Sequence, residues 1–255
     1  MLLGLLCALI FGAGGEAEFI SAVPNLDTEV KQTIEDKERR TYLLELVDSY
    51  EGAIKQFSKD KEQLQMEVNK ASGDRTVSSE NLLRQYDKYH QARRRLIASL
   101  IDYRLMFQEQ ITEQELMLLI ENAIVSSEKD RLEAQKLEEK TEDELNRAFS
   151  EIHDIIIRNI QDPVKSEAVT NSFYIFEQSM YTYLDIARDT KADRVALLLN
   201  KTATREELEG VYEQSNQVRY RAASDFAVLR DRVIENTTEK EWKDINKELK
   251  AFFKK

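Results

Sequence analysis

Apolar residues return in steps of three and four along most of the chain, the spacing of one helical face. The first stripe is Leu43, Leu46, Val47, Tyr50, Ile54, Phe57, Leu64 and Val68. It predicts a helix from about residue 28 to about residue 70, with Asp27 as its cap and Thr28 and Glu29 opening it. Little apolar content precedes Tyr42, so the start of that helix is expected to project or fray. Lys61 falls in the stripe and is read as laying its stem along the seam with its amine in water. Lys70 to Arg75 reads as a turn. A second stripe follows, Leu82, Tyr86, Tyr89, Arg93, Leu96, Leu100, Tyr103 and Phe107, giving a helix from about Ser79 to Gln110. A turn this short makes the pair an antiparallel hairpin. Thr112-Glu113-Gln114-Glu115 has the spacing of a capping box and opens a shorter helix carrying Leu116, Leu119, Ile120, Ala123 and Ile124.

From Ser126 to Glu144 the stripe thins to Leu132, Ala134 and Leu137, and charges alternate in sign. That pattern suits a solvated helix held by i,i+4 pairs, a charged strut with a second capping box at Thr141-x-x-Glu144. Leu145, Phe149, Ile152, Ile156 and Ile160 restore an apolar face. Gln161-Asp162-Pro163 turns the chain into a helix from about Val164 to Leu199, with a seam of Val169, Phe173, Phe176, Met180, Tyr183 and Ala187. Tyr174 and Tyr181 mark a second face, so this helix is expected to be covered on both sides. Asn200-Lys201-Thr202 reads as a tighter turn than the one after Lys70. A helix from about Thr204 to Glu235 follows, and Thr238-x-x-Glu241 caps a last helix with Trp242, Ile245, Leu249 and Phe252.

The stretch Thr76 to Leu116 comes back without a gap at Thr202 to Trp242, an offset of 126 residues, with 12 of 41 positions identical. Glu80/Glu206, Leu82/Leu208, Tyr86/Tyr212, Gln91/Gln217, Arg93/Arg219, Arg95/Arg221 and Arg104/Arg230 are among them. A match of this length points to a duplicated structural unit. The expected fold is all-α, an elongated antiparallel helical bundle with coiled-coil-like seams. Two duplicated helical-hairpin units make it up, joined by a charged helix. The expected organisation is 1–15 signal peptide, 16–126 first helical unit, 127–160 charged connecting helix and hairpin arm, and 161–255 second helical unit. The two units pack together or lie end to end along the strut.

Composition agrees with that class. The 255 residues include two prolines and seven glycines, and only Gly52, Gly73 and Gly210 lie beyond residue 15. A sheet protein needs more turn residues than this. The net charge of −11 and pI near 5.0 argue against a nucleic-acid partner, since phosphate binding relies on Lys and Arg. Met1 to Gly15 carries no charged side chain, and Leu2 to Phe11 is apolar. A span takes about 20 apolar residues, so this run fits a signal peptide and predicts export to the periplasm or outside the cell, with no transmembrane segment after its removal. Cys7, the one cysteine, falls inside the run. The mature chain then has no disulfide, catalytic thiol or thiolate metal site.

His90 and His153 are the only histidines. Asp87-x-x-His90 has helical ligand spacing, but no Glu-x-x-His occurs and no further ligand set accompanies it. His90 is therefore read as a surface or rim histidine, with no metal and no cofactor expected. Neither a phosphate-cradling glycine loop nor a nucleophile elbow is present, and no catalytic residue is assigned. Arg93 and Arg219 take a seam position in both copies. Each is expected to point inward to an acceptor, with Glu51 and Glu177, also matched across the offset, or Asp185 as candidates. The alternative is a stem over the seam with the head in water. Phe173, Tyr174, Phe176, Tyr181 and Tyr183 are the densest aromatic group, a candidate binding patch for a partner or apolar ligand. Their helical step favours bundle core.

Ile111-Thr112-Glu113-Gln114-Glu115 and Thr237-Thr238-Glu239-Lys240-Glu241 resemble the Leu-Thr-x-x-Gln motifs of the Spy/CpxP group. The threonine matches in both, the last position is Glu rather than Gln, and the leading Leu is Ile or Thr. The resemblance implies an exported all-helical periplasmic protein with a part in envelope stress or chaperoning. Together these readings predict a non-enzymatic protein-binding or scaffold role in the cell envelope. A ligand or metal sensor domain using the bundle interior is the alternative, and an enzyme comes third.

Overall fold

The computed structural model describes residues 26–119 and 146–252. The apolar run Leu2 to Phe11 with Cys7, and the charged strut from Ser126 to Glu144, lie outside the described residues. The structure is an all-α helical bundle, with no strand among the described residues. Its helices are α1 (Leu26–Thr33), α2 (Lys37–Gly73), α3 (Ser79–Gln110), α4 (Pro163–Leu199), α5 (Arg205–Glu235) and α6 (Glu239–Phe252). Residues 113–119 and 146–158 are also helical. No described helix is long and apolar enough to cross a membrane.

Side-chain caps fix most of the boundaries. Ser78 accepts the Asn81 amide at 3.3 Å to start α3, and Asp162 accepts the Val164 amide at 2.9 Å to start α4, with Pro163 in the first turn. Thr204 and Glu207 form a complete capping box at the start of α5. Thr112 and Glu115 exchange bonds of 2.8 and 3.2 Å, and Thr238 and Glu241 bonds of 2.7 and 3.3 Å. Each box satisfies amides that the first turn of a helix leaves open.

The expected single helix from residue 28 to 70 is broken. Asp36 accepts the Arg39 amide at 2.8 Å and caps α2, while Arg40 donates to the Ile34 carbonyl at 3.1 Å. The break separates off α1, whose Leu26 and Val30 are buried together with Ile34 just beyond it. This start therefore packs onto the core instead of projecting. Each such side chain contributes about 1.5–3 kcal/mol when removed from water. Asp27 lies within the first turn of α1, held to Lys31 at 2.9 Å, rather than at its cap.

The two long turns, residues 74–78 and 200–204, are the same length, so the second is not the tighter. Asp74 accepts from the Thr76 amide and hydroxyl at 2.9 and 2.7 Å. Asn200 accepts from the Thr202 amide and hydroxyl at 2.9 Å each. The two turns thus use the same Asx geometry 126 positions apart.

The helices α2 and α3 share a core in which Phe57 meets Tyr89 at 6.0 Å between ring centroids. Arg39 near the start of α2 reaches the carbonyl of Gln110, the last residue of α3, at 3.3 Å and Glu115 beyond it at 2.5 Å. In the second half Phe176 of α4 meets Phe226 of α5 edge to face at 5.6 Å. The halves join through α3 and α5, which pack directly against each other. Arg94 pairs with Glu213 at 2.7 Å, Arg205 with Asp102, and the Ser79 hydroxyl donates to the Ala227 carbonyl at 3.3 Å. Residues 146–158 cover α4 through Phe149, 6.2 Å from Phe173 and 6.1 Å from Phe176. They also meet α6, where Arg158 donates from Nε to Glu248 at 3.0 Å.

Candidate functional site

Polar and charged groups concentrate where α3 crosses α5. Steps of three and four on α3 bring Asp87, His90, Gln91 and Arg94 to one side of that helix, and Asn216, Gln217 and Tyr220 of α5 face them across a groove of about 380 Å³. On the closed side of the crossing lie Arg93 and Arg219, about 1% and 2% exposed. Both take the inward seam position that their spacing suggested. Arg93 Nη1 donates to Asn216 Oδ1 at 2.7 Å, and the Arg219 guanidinium sits 5.1 Å from the Tyr183 ring centroid, a cation–π distance.

One acceptor for Arg93 is an amide from the other half of the chain, that of Asn216. Glu51 is exposed and holds Lys55 at 3.2 Å, on a face of α2 turned away from the seam. Glu177 is half-buried on α4, and burial raises its carboxyl above the usual range while nearby His153 opposes the shift. The pattern-based choice of Glu51 failed because it lies one helical position past Tyr50, which takes the buried place itself. Asn216 carried one sequence signal. It stands 126 positions after His90, the offset at which the sequence stretch from Thr76 to Leu116 matches Thr202 to Trp242.

His90 is not a rim residue. It is only 8% exposed, packed between Tyr89 and Tyr220 at centroid distances of 6.0 and 5.4 Å. Its Nε2 is buried without a hydrogen-bond partner. Burial, and then the charges of Arg93, Arg219 and Arg94, push its pKa down to about 4. Asp87 and Glu213 stand at the same crossing with Arg93, Arg94 and Arg219. Helix spacing alone did not reveal this burial because the residue faces the second half of the chain rather than its hairpin partner.

Two further arginines brace the turns. Arg104 donates to the Asn200 carbonyl at 3.3 Å, and burial lowers its pKa to about 10. Arg230 donates from Nε to the Ser72 carbonyl at 3.0 Å and from Nη2 to the Asp74 carbonyl, and burial lowers its pKa also. Each of these arginines grips the turn of the opposite half.

The aromatic group divides. Phe173, Phe176 and Tyr183 are buried in the core, so the five do not form a surface patch. Their seam spacing points them inward, and Phe149 from residues 146–158 closes over the first two. Tyr181 lies at 5.8 Å from Phe149 and its hydroxyl donates to Asn146. Tyr174 alone is exposed, at 54%, with one side against the His153 ring at 5.8 Å. It and Ile175, 61% exposed, border a second open groove of about 360 Å³ with Val218 and Arg221 of α5.

Among the described residues, no group of three or more His, Cys, Asp and Glu side chains is placed to hold a metal ion. Comparison with protein-family models, with curated proteins and with solved structures gave no match to the chain.

Proposed function

We propose that the chain is an exported, non-enzymatic helical scaffold that binds other proteins of the cell envelope, with a chaperone-like role. Its framework on this reading is two duplicated antiparallel hairpins joined by a charged helix. The reciprocal grip of Arg104 on Asn200 and of Arg230 on Asp74 supports the duplication, because both pairs are related by the same offset. Export rests on the apolar run Leu2 to Phe11 and the small residues after it.

The observation that carries the binding role is the exposed face of Tyr174 and Ile175. In the first half the corresponding positions are Asp48 and Ser49, both exposed. An apolar pair beside Val218 and Arg221 has therefore replaced a polar one at a place where the bundle does not need burial. Exposed aromatic and aliphatic side chains beside an arginine are the composition of a protein-contact centre. The bundle interior offers less to a ligand, since Arg93, Arg219 and the aromatic rings fill it.

Affinity capture from native envelope, with the mature chain and with a Tyr174→Asp/Ile175→Asp variant as bait, tests this. The wild type should enrich envelope proteins that the variant does not. Identical captures by both baits, or none by the wild type, refute it.

A further inference from the structure

Two stretches carry the sugar-acceptor pattern of Asn, any residue but Pro, then Ser or Thr: Asn200-Lys201-Thr202 and Asn236-Thr237-Thr238. The pattern is short, and the structure separates its two occurrences. Asn200 is exposed in the turn between α4 and α5, with Thr202 exposed beside it. Its Oδ1 accepts from the Thr202 amide and hydroxyl at 2.9 Å each, while its Nδ2 makes no hydrogen bond among the described residues. The Arg104 guanidinium holds this turn through the Asn200 backbone carbonyl. A group added to Nδ2 therefore breaks none of these bonds.

Asn236 is half-buried, and its Nδ2 donates to the Arg232 carbonyl at 2.8 Å. The Thr238 hydroxyl accepts the Glu241 amide at 3.3 Å as the cap of α6. A bulky group on this nitrogen has to fit between the side chain and the end of α5. The first half supplies a natural control. Asp74 makes the same turn, accepting from the Thr76 amide and hydroxyl at 2.9 and 2.7 Å, but a carboxylate has no nitrogen to modify.

We propose that Asn200 is an N-glycosylation site and that the folded protein carries no glycan at Asn236. The donor is an oligosaccharide on a lipid pyrophosphate. Nδ2 of Asn200 attacks the anomeric carbon of the first sugar, and a C–N bond forms. The C–O bond to the pyrophosphate breaks, the lipid pyrophosphate leaves, and one proton passes from Nδ2 to a base of the transferase. The inference rests on the export reading, since this modification belongs to secreted chains. Tyr174 lies roughly 40 Å back along α4, so a glycan on the turn leaves the Tyr174–Ile175 face clear.

For the test, the full chain is secreted from a eukaryotic host that N-glycosylates. One arm keeps its own residues 1–15, and the other replaces them with an established secretion signal. The readout is intact mass before and after an amidase that releases the glycan. Cleavage leaves aspartate at the modified position, which peptide mapping locates. A glycan at Asn200, its loss in Thr202→Ala and its retention in Thr202→Ser are expected. Asp74→Asn gives the first turn the same pattern and should add a second glycan. A bare Asn200 behind the replacement signal, or a glycan there in Thr202→Ala, overturns the proposal. A glycan at Asn236 overturns the exclusion of that site, and a bare first turn in Asp74→Asn overturns the role of the turn geometry. Secretion that fails only behind the native residues 1–15, with Asn200 modified in the other arm, refutes the export reading alone.

Discussion

Arg93 on α3 donates to the side-chain carbonyl of Asn216 on α5 across 2.7 Å, and this bond joins the two halves of the chain inside the bundle. The two residues sit 123 positions apart. A buried guanidinium that loses an acceptor keeps its desolvation cost, whereas a buried amide that loses a donor gives up less. The pair should therefore respond unequally to truncation. Asn216→Ala is expected to cost about 1.5–3 kcal/mol in urea melts, the range for a hydrogen bond to a charged group, and Arg93→Met about 1–2 kcal/mol, since methionine refills part of the arginine volume. The double variant should be less destabilised than the sum, with a coupling of about 1 kcal/mol or more. Additive losses would show that the bond contributes nothing beyond packing.

His90 gives the fold an acid sensitivity. Its folded pKa of about 4 lies below the ordinary value of 6.5, with burial as the main cause and Arg93, Arg219 and Arg94 behind it. Asp87 on α3 and Glu213 on α5 oppose those charges at the same crossing. Above pH 6.5 the imidazole is neutral in both states and contributes no pH dependence. As the pH falls from 6.5 to about 4 the unfolded chain takes up a proton that the folded chain refuses, so stability is lost across that window. The full loss is on the order of 2–3 kcal/mol. His90→Asn, which copies the residue at Asn216, should remove this part of the pH profile while the carboxylate-driven part stays. Denaturant midpoints of both proteins from pH 7.5 to 4 provide the measurement. Parallel curves would place His90 in water-like surroundings.

The helix starts from α3 onward were legible from sequence to within a residue or two, because their signals are local. Thr112/Glu115, Thr204/Glu207 and Thr238/Glu241 each close a ring within four residues, and α3 runs from Ser79 to Gln110 as its stripe indicates. The break at Asp36 was local too, yet a continuous helical composition from Thr28 to Arg40 masked it. The crossing was not legible. Periodicity tells which residues face inward, as it did for Arg93 and Arg219, but it carries no information about which element lies opposite. Asn216 and Tyr220 became partners of α3 only once the register of one half against the other was known.

Gly52 and Gly210 lie on exposed faces inside α2 and α5, and a methyl group at either position meets nothing within 4 Å. Glycine in a helix interior costs backbone entropy without giving space to a neighbour here. Gly52→Ala and Gly210→Ala should each stabilise the protein by about 0.5–1 kcal/mol, additively because they lie on different helices. Thermal and urea melts check this. A neutral or negative effect at either site would point to a contact that the glycine keeps open.

The paired turn contacts make the sharpest comparison between the halves. Arg230 bonds two backbone carbonyls of the first turn region, Ser72 and Asp74, and lies 6.0 Å from the Trp242 ring. Arg104 donates to the Asn200 carbonyl of the second turn. Lysine at either position keeps the charge and most of the stem but loses the planar fork. It can serve one carbonyl as an ammonium donor, yet it cannot reproduce bonds from both Nε and Nη2. Arg230→Lys should therefore cost about 1–3 kcal/mol, the range for leaving a buried carbonyl unsatisfied. Arg104→Lys should also cost stability, since Arg104 too is buried and bonds a turn carbonyl. Hydrogen exchange locates the effect: Arg230→Lys should speed exchange at the amides of residues 74–78 at the far end of α2, while residues 200–204 keep their protection. No loss of stability in Arg230→Lys, or faster exchange confined to α5 itself, would mean that Arg230 does not hold the opposite turn.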